Sequence, residues 1–112
     1  MLTKQQAIFA KNVAKLLLFI EESGKHCSLG EAYRTPEQAA IYAQQGKGIK
    51  NSLHCNRLAI DLNLFDADFN YRGESEFYKP VAEHWKSLHI QNRAGIDFDR
   101  VDSNHFEMRV IE

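Results

Sequence analysis

The stretch "NSLHCNRLAIDLNLF", residues 51–65, carries the pattern that decides the fold. Its second half alternates large aliphatic residues with small or polar ones, which is the period of a β-strand with one buried face. His54 precedes this alternation, and Asp61 lies on its polar side. The predicted core face of the strand comprises Leu58, Ile60, Leu62 and Leu64.

Two helices are predicted upstream of this strand. Thr3 and Gln6 form a capping box, and an apolar stripe at helical spacing follows until Gly24 interrupts it. In "TPEQ", Thr35 is the expected N-cap of a second helix, because proline is favoured at the first helical position. This second helix should continue to Gly46.

A third helix and a closing strand are predicted downstream, and "EAYR" (residues 31–34) is predicted as a short strand. The third helix tolerates Pro80 only in its first turn. Residues 92–104 are interpreted as an irregular connection, and "HFEMRVI" (residues 105–111) as the closing strand. The apolar stripe of the helix is Phe77, Val81, Trp85 and Leu88. The core face of the closing strand is Phe106, Met108 and Val110. Helices and strands without strict alternation predict an α+β fold, with a small antiparallel sheet packed against three helices.

The composition of the chain excludes several classes of function. At 112 residues it is predicted to form one domain, residues 1–112. Fourteen Lys and Arg against fifteen Asp and Glu give a net charge of -1, with no basic patch for a nucleic acid. The apolar stretch "VAKLLLFI" is too short to span a membrane and lacks the flanks of a signal peptide. We therefore expect a monomer made in a cytoplasm, without stable membrane association.

Two cysteines, Cys27 and Cys55, are too few for a disulfide framework and are predicted to be free. Each of them follows a histidine, which raises the alternative of a zinc site with two histidines and two cysteines. Adjacent residues of an extended chain point to opposite faces, so one ion rarely binds both members of such a pair. Cys55 is better interpreted as a small packed residue.

Another set of residues fits a catalytic zinc site better. Such a site has three protein ligands and an open position, and two histidines with one carboxylate are a known ligand set. His54, Asp61 and His105 supply these groups. Asp61 and His105 would project from two strands onto one sheet face, with His54 in the loop that enters the first strand.

Zinc-assisted hydrolysis also needs a carboxylate that takes a proton from water. Asp102, three residues before His105, is the predicted general base and later the proton donor. Arg34 is a candidate for binding a substrate carboxylate or an oxyanion, although it can instead pair with Glu31. Glu107 shares the strand face of His105, where it either orients that ligand or faces water.

Three segments in order resemble a known family. "SLHCNRLAID" resembles the Ser-x-His-x-x-Gly-x-Ala-x-Asp signature of the zinc D-alanyl-D-alanine carboxypeptidase and L-alanyl-D-glutamate peptidase family, which has a hedgehog-like fold. "AYRTPEQ" and "DSNHFE" are similar to the other two blocks of that family. Its members cleave the stem peptides of bacterial peptidoglycan, and many small members are phage endolysins.

The resemblance implies a role for each matching residue. His54, Asp61 and His105 become ligands of one zinc ion, and Asp102 becomes the catalytic acid and base. Arg34 and Ser52 become substrate-contacting groups, although Ser52 can instead simply cap its loop. For an endolysin, the resemblance further implies accumulation in the host cytoplasm, release through a separate membrane lesion, and lysis of the cell wall.

The sequence departs from the family pattern at Arg57, which stands where the signature has glycine. An arginine there can alter the turn after His54 or fill part of the pocket. Asp102 replaces the glutamate of many carboxypeptidase members and favours the L-alanyl-D-glutamate type. The alternatives are a D-Ala-D-Ala carboxypeptidase or dipeptidase, and a zinc- or peptide-binding module of the same fold without turnover.

Overall fold

The computed structural model of the chain describes residues 2–49 and 51–110. A four-stranded antiparallel sheet has the order β1-β2-β4-β3, and three helices accompany it. The elements are α1 (Leu2–Glu22), β1 (His26–Leu29), α2 (Pro36–Gln44), β2 (Ala59–Phe65), α3 (Ser75–Leu88), β3 (Asn92–Ala94) and β4 (His105–Met108). The prediction of an α+β fold with an antiparallel sheet and three helices is therefore confirmed.

Strand β2 is central and shows the predicted alternation. Leu62 and Leu64 are fully buried, whereas Asp61 and Asn63 on the other face are half-buried. The phenol of Tyr78 in α3 donates a hydrogen bond to the carbonyl of Leu62 (2.9 Å) and accepts one from the amide of Leu64 (3.1 Å). The apolar face of β2 is thus fixed to α3 by polar contacts as well as by packing.

Helices α1 and α3 cover this face of the sheet. Phe9 of α1 meets Trp85 of α3 edge to face, with 5.5 Å between ring centroids. The indole Nε1 of Trp85 donates to the carbonyls of Arg93 and Glu107, both at 3.0 Å. Because these carbonyls belong to β3 and β4, one buried side chain ties α3 to both strands.

The helix boundaries follow the predicted signals in part. Thr35 caps α2, since its hydroxyl accepts from the Gln38 amide at 3.1 Å. Thr3 lies inside the first turn of α1, so its prediction as an N-cap is wrong. Pro80 lies in the second turn of α3. Proline has no backbone N–H, so the carbonyl of Glu76 lacks the hydrogen bond that a helix would normally give it. Glu76 is exposed, so water can donate to this carbonyl instead.

Three predictions about strands are wrong. Residues 31–34 form no strand; the edge strand β1 lies just before them. The predicted irregular connection 92–104 begins with β3, which pairs with β4. Val110 is exposed and follows the end of β4, so it is not a core residue. Residue 111 of the predicted closing strand lies outside the described residues.

Within the described residues, no helix combines the length and the apolar character that crossing a membrane requires. The longest helix, α1, carries a mixture of buried and exposed residues along its length.

Candidate metal centre

The register of the sheet brings the candidate ligands together. In the pairing of β2 with β4, Asp61 lies directly opposite His105. His54 reaches the same point from a short 3₁₀ helix, Leu53–Asn56, that precedes β2. The Oδ1 atom of Asp61 lies 3.3 Å from Nε2 of His54 and 3.3 Å from Nδ1 of His105.

The turn that presents His54 depends on its two ends. At the start, the hydroxyl of buried Ser52 accepts a hydrogen bond from the His54 amide at 3.1 Å. At the end, Arg57 has a left-handed backbone conformation, with φ 56° and ψ 35°. This conformation favours glycine, which explains why a glycine at this position suits the turn. The hydrogen bond from the His54 amide also shows that Ser52 caps this turn, which is the alternative role considered for it.

The side chain of Arg57 does not fill the pocket. Its guanidinium carbon lies 3.9 Å from the centroid of the exposed Tyr33 ring, outside the residues that line the groove described below. Arg57 itself adopts the left-handed backbone conformation in the turn after His54. The filled pocket considered for Arg57 is therefore not formed, whereas an altered turn stays a prediction.

Outer hydrogen bonds determine which ring nitrogens face the centre. Nδ1 of His54 lies 3.3 Å from the carbonyl of Ala32, which can only accept, so this nitrogen donates. Nε2 of His105 lies 2.7 Å from Oε1 of Glu107, a buried carboxylate that likewise accepts. The inner nitrogens, Nε2 of His54 and Nδ1 of His105, then present lone pairs toward Asp61 when both rings are neutral.

In the neutral state of both rings, three acceptor atoms consequently converge with no donor between them. Among the described residues, buried Oδ1 of Asp61 has no hydrogen-bond partner. Burial favours a raised pKa for Asp61, but the rings of His105 and His54 outweigh it and lower this pKa to about 2. Burial disfavours the charged form of His105, yet Asp61 and Glu107 outweigh it and raise its pKa to about 9. The centre therefore favours a positive charge, supplied by a proton or by a metal ion.

The donor set fits a zinc ion. The three donor atoms lie within 4.8 Å of one another, and two of the three separations are 3.3 Å. Ligands at zinc distances of 2.0–2.2 Å in a tetrahedron are separated by about 3.4 Å. His54, Asp61 and His105 can thus hold a metal ion. Other divalent metals also accept imidazole and carboxylate ligands, so the geometry does not select zinc alone.

The centre opens into a groove of about 730 Å³. Arg34, Ser52 and Asp102 all line this groove together with the three candidate ligands. All the residues that the sequence assigned to the site thus border one cavity.

The contacts of Arg34 and Asp102 differ. Arg34 pairs with Glu31, with Nε donating to Oε1 at 2.7 Å, and its guanidinium packs near the ring of Tyr42. The pairing with Glu31 that was considered for Arg34 is therefore present. Asp102 is exposed, and its carbonyl accepts from the His105 amide at 3.0 Å.

Two groups behind the centre were not identified from the sequence. A Cβ atom on Gly95 would lie 2.0 Å from the carbonyl oxygen of Asp102, so the loop that carries Asp102 can pack here only against glycine. In the sequence, this close contact is marked by the glycine in "NRAGID", but a glycine indicates a turn equally well. Arg93, whose Nη2 lies 2.5 Å from Oε2 of Glu107, gave no signal because its strand was not predicted.

The alternative cysteine-containing metal site is not formed. Cys27 and Cys55 are both free, as predicted. His26 stacks on Phe69 instead, with 3.9 Å between ring centroids. In the described parts of the chain, the group of residues positioned to hold a metal contains no cysteine.

Comparison with solved structures identifies a similar fold. The L-Ala D-Glu endopeptidase ChiX of Serratia marcescens superposes with a TM-score of 0.64 and 18% sequence identity. The match covers 75% of this chain and 67% of that one. No protein-family model matches the sequence, and a search of curated proteins finds no match either. The chain therefore shares the fold of a peptidase, and its own residues must support any functional assignment.

Proposed function

We propose that this protein is a zinc-dependent peptidase that hydrolyses the stem peptides of peptidoglycan, as an L-alanyl-D-glutamate endopeptidase of the phage endolysin type. The observation that carries the proposal is the convergence of three acceptor atoms, from His54, Asp61 and His105, in a groove on a fold shared with an L-Ala D-Glu endopeptidase. The three sequence segments that resemble the zinc peptidase family support the same conclusion.

The mechanism assigns a role to each group that lines the groove. A zinc ion held by His54, Asp61 and His105 supplies Lewis-acid polarisation and lowers the pKa of water. Asp102 accepts the proton of the attacking water and returns it to the leaving amine. Because Asp102 is exposed on the groove wall, its carboxylate can exchange protons with bulk water between turnovers.

Arg34 binds the substrate in this proposal. Its Nε and Nη2 engage Glu31, which leaves Nη1 as the nitrogen for a substrate carboxylate or for the oxyanion of the tetrahedral intermediate. The pair with Glu31 holds the guanidinium in place, and the Arg34 side chain is only 13% exposed. Ser52 supports the turn under His54 and adds a hydroxyl to the groove wall.

Product analysis on purified peptidoglycan tests the proposal. The zinc-loaded protein should generate new N-terminal D-Glu, whereas release of D-Ala would indicate a carboxypeptidase or dipeptidase instead. Asp102→Asn should bind one equivalent of zinc and lose activity by at least about 100-fold, as expected for a general base. If the unaltered protein binds zinc but produces no new amine, it is a binding module and the proposal is wrong.

A further inference from the structure

Glu107 is a buried carboxylate to which the mechanism above assigns no role. It lies on β4 and is 6% exposed. Its Oε1 meets Nε2 of His105 at 2.7 Å, and its Oε2 meets Nη2 of Arg93 at 2.5 Å. The register of β3 against β4 places Arg93 directly opposite Glu107, so the sheet itself builds this arrangement.

We propose that Glu107 is a positioning residue, held in place by Arg93, which fixes the ring of His105 so that Nδ1 binds the metal ion. The inference rests on the metal centre of the proposed function. An imidazole can present either nitrogen to a metal, and the partner of the other nitrogen selects which one. With Nε2 committed to Glu107, the nitrogen that faces Asp61 is Nδ1.

The two ligand histidines are fixed by partners of different charge. His54 donates from Nδ1 to a neutral backbone carbonyl, that of Ala32, at 3.3 Å. His105 donates to a carboxylate at the shorter distance of 2.7 Å, and hydrogen bonds to an ionised acceptor are the stronger kind. His105 is therefore the ligand whose basicity and orientation depend most on a single side chain.

Arg93 completes the arrangement. Its side chain is half exposed, while its guanidinium reaches the carboxylate of Glu107, which is nearly enclosed. A buried carboxylate facing one histidine would otherwise lack a permanent positive partner. Since Trp85 holds the backbone carbonyls of both Arg93 and Glu107, the two side chains start from a rigid base.

A purely structural ion pair would have different consequences. If Glu107 served only to join β3 and β4, its replacement would lower stability and leave the metal affinity of the folded protein unchanged. A positioning role instead predicts weaker metal binding in protein that remains folded. The two roles are thus separated by measuring metal affinity on samples whose fold has been checked by circular dichroism.

The experiment measures zinc affinity by competition with a chromophoric chelator. Glu107→Ala should lower the affinity by about 10- to 100-fold, the range found for the loss of such partners. Glu107→Gln keeps an acceptor oxygen without the charge and should recover part of this loss. In the cobalt-substituted protein, the visible absorption bands should shift for Glu107→Ala and lie closer to the original for Glu107→Gln.

A matched pair of arginine variants completes the test. Arg93→Met should weaken zinc binding by several-fold, whereas Arg109→Met should not, because Arg109 lines the same groove but bonds to Gln91. Zinc affinities equal to that of the unaltered protein in folded Glu107→Ala and Arg93→Met would overturn the inference and leave the proposed function intact. Absence of zinc binding by the unaltered protein would overturn both.

Discussion

The raised pKa of His105 predicts how stability depends on pH in the metal-free protein. The pKa of this ring is about 9 in the folded chain, against an ordinary value of about 6.5. A group with a raised folded pKa contributes stability that is complete below the unfolded pKa and is lost as the pH rises through the folded pKa. The metal-free protein should therefore lose stability between pH 6.5 and 9.

The magnitude of this loss follows from the shift. Each pKa unit is worth about 1.4 kcal/mol, so the rise from 6.5 to about 9 corresponds to a loss of at most about 3.5 kcal/mol. At low pH the sign is opposite: Asp61, with its pKa lowered to about 2, contributes stability that disappears as the pH falls from about 4 through 2. The metal-free protein should be most stable between about pH 4 and 6.5.

Bound zinc should flatten the slope at higher pH, because the gain in apparent zinc affinity offsets the stability that His105 loses. The ion must displace the proton of His105, so the apparent zinc affinity should rise about tenfold per pH unit between 6.5 and 9. Urea unfolding with chelator and with zinc, at half-unit pH steps, measures both effects. His105→Gln should flatten the metal-free curve over this range. A metal-free curve that is already flat in the unaltered protein would refute the reasoning.

Variants at three further positions test local features of the structure. Gly95→Ala should destabilise the chain by more than about 2 kcal/mol in chemical unfolding, because its Cβ would overlap the carbonyl of Asp102. Arg57→Gly should be about 1 kcal/mol more stable than Arg57→Ala, because only glycine adopts the left-handed backbone without strain. Both variants lose the contact with Tyr33, so that contact does not affect the comparison. Equal stabilities would argue against strain at this position. Trp85→Phe should lower the melting temperature by several degrees, because it removes the indole N–H that donates to two backbone carbonyls, one of them, that of Glu107, buried.

The sequence predicted those parts of the fold where local signals are strong. The alternation in residues 51–65 gave β2 and its buried face because the apolar residues are large and regular. Thr35 gave the start of α2 because a capping hydroxyl followed by proline is a specific combination. His54, Asp61 and His105 were brought to one point by the pairing of β2 with β4, as the two predicted strands implied.

The remaining features depend on contacts that no local pattern encodes. Strand β3 has three residues, too few to display a period, and it exists because β4 and Trp85 hold its backbone. Strand β1 carries exposed residues at its end and has no buried face to mark it. The link from His105 through Glu107 to Arg93 required the β3–β4 register, which the sequence did not reveal.

An anomalous-scattering map recorded at the zinc edge, from crystals grown with zinc, tests the central claim most directly. One strong peak should lie about 2.1 Å from Nε2 of His54, Nδ1 of His105 and Oδ1 of Asp61. A peak bound through Nε2 of His105, a peak elsewhere on the chain, or no peak at all would contradict the account.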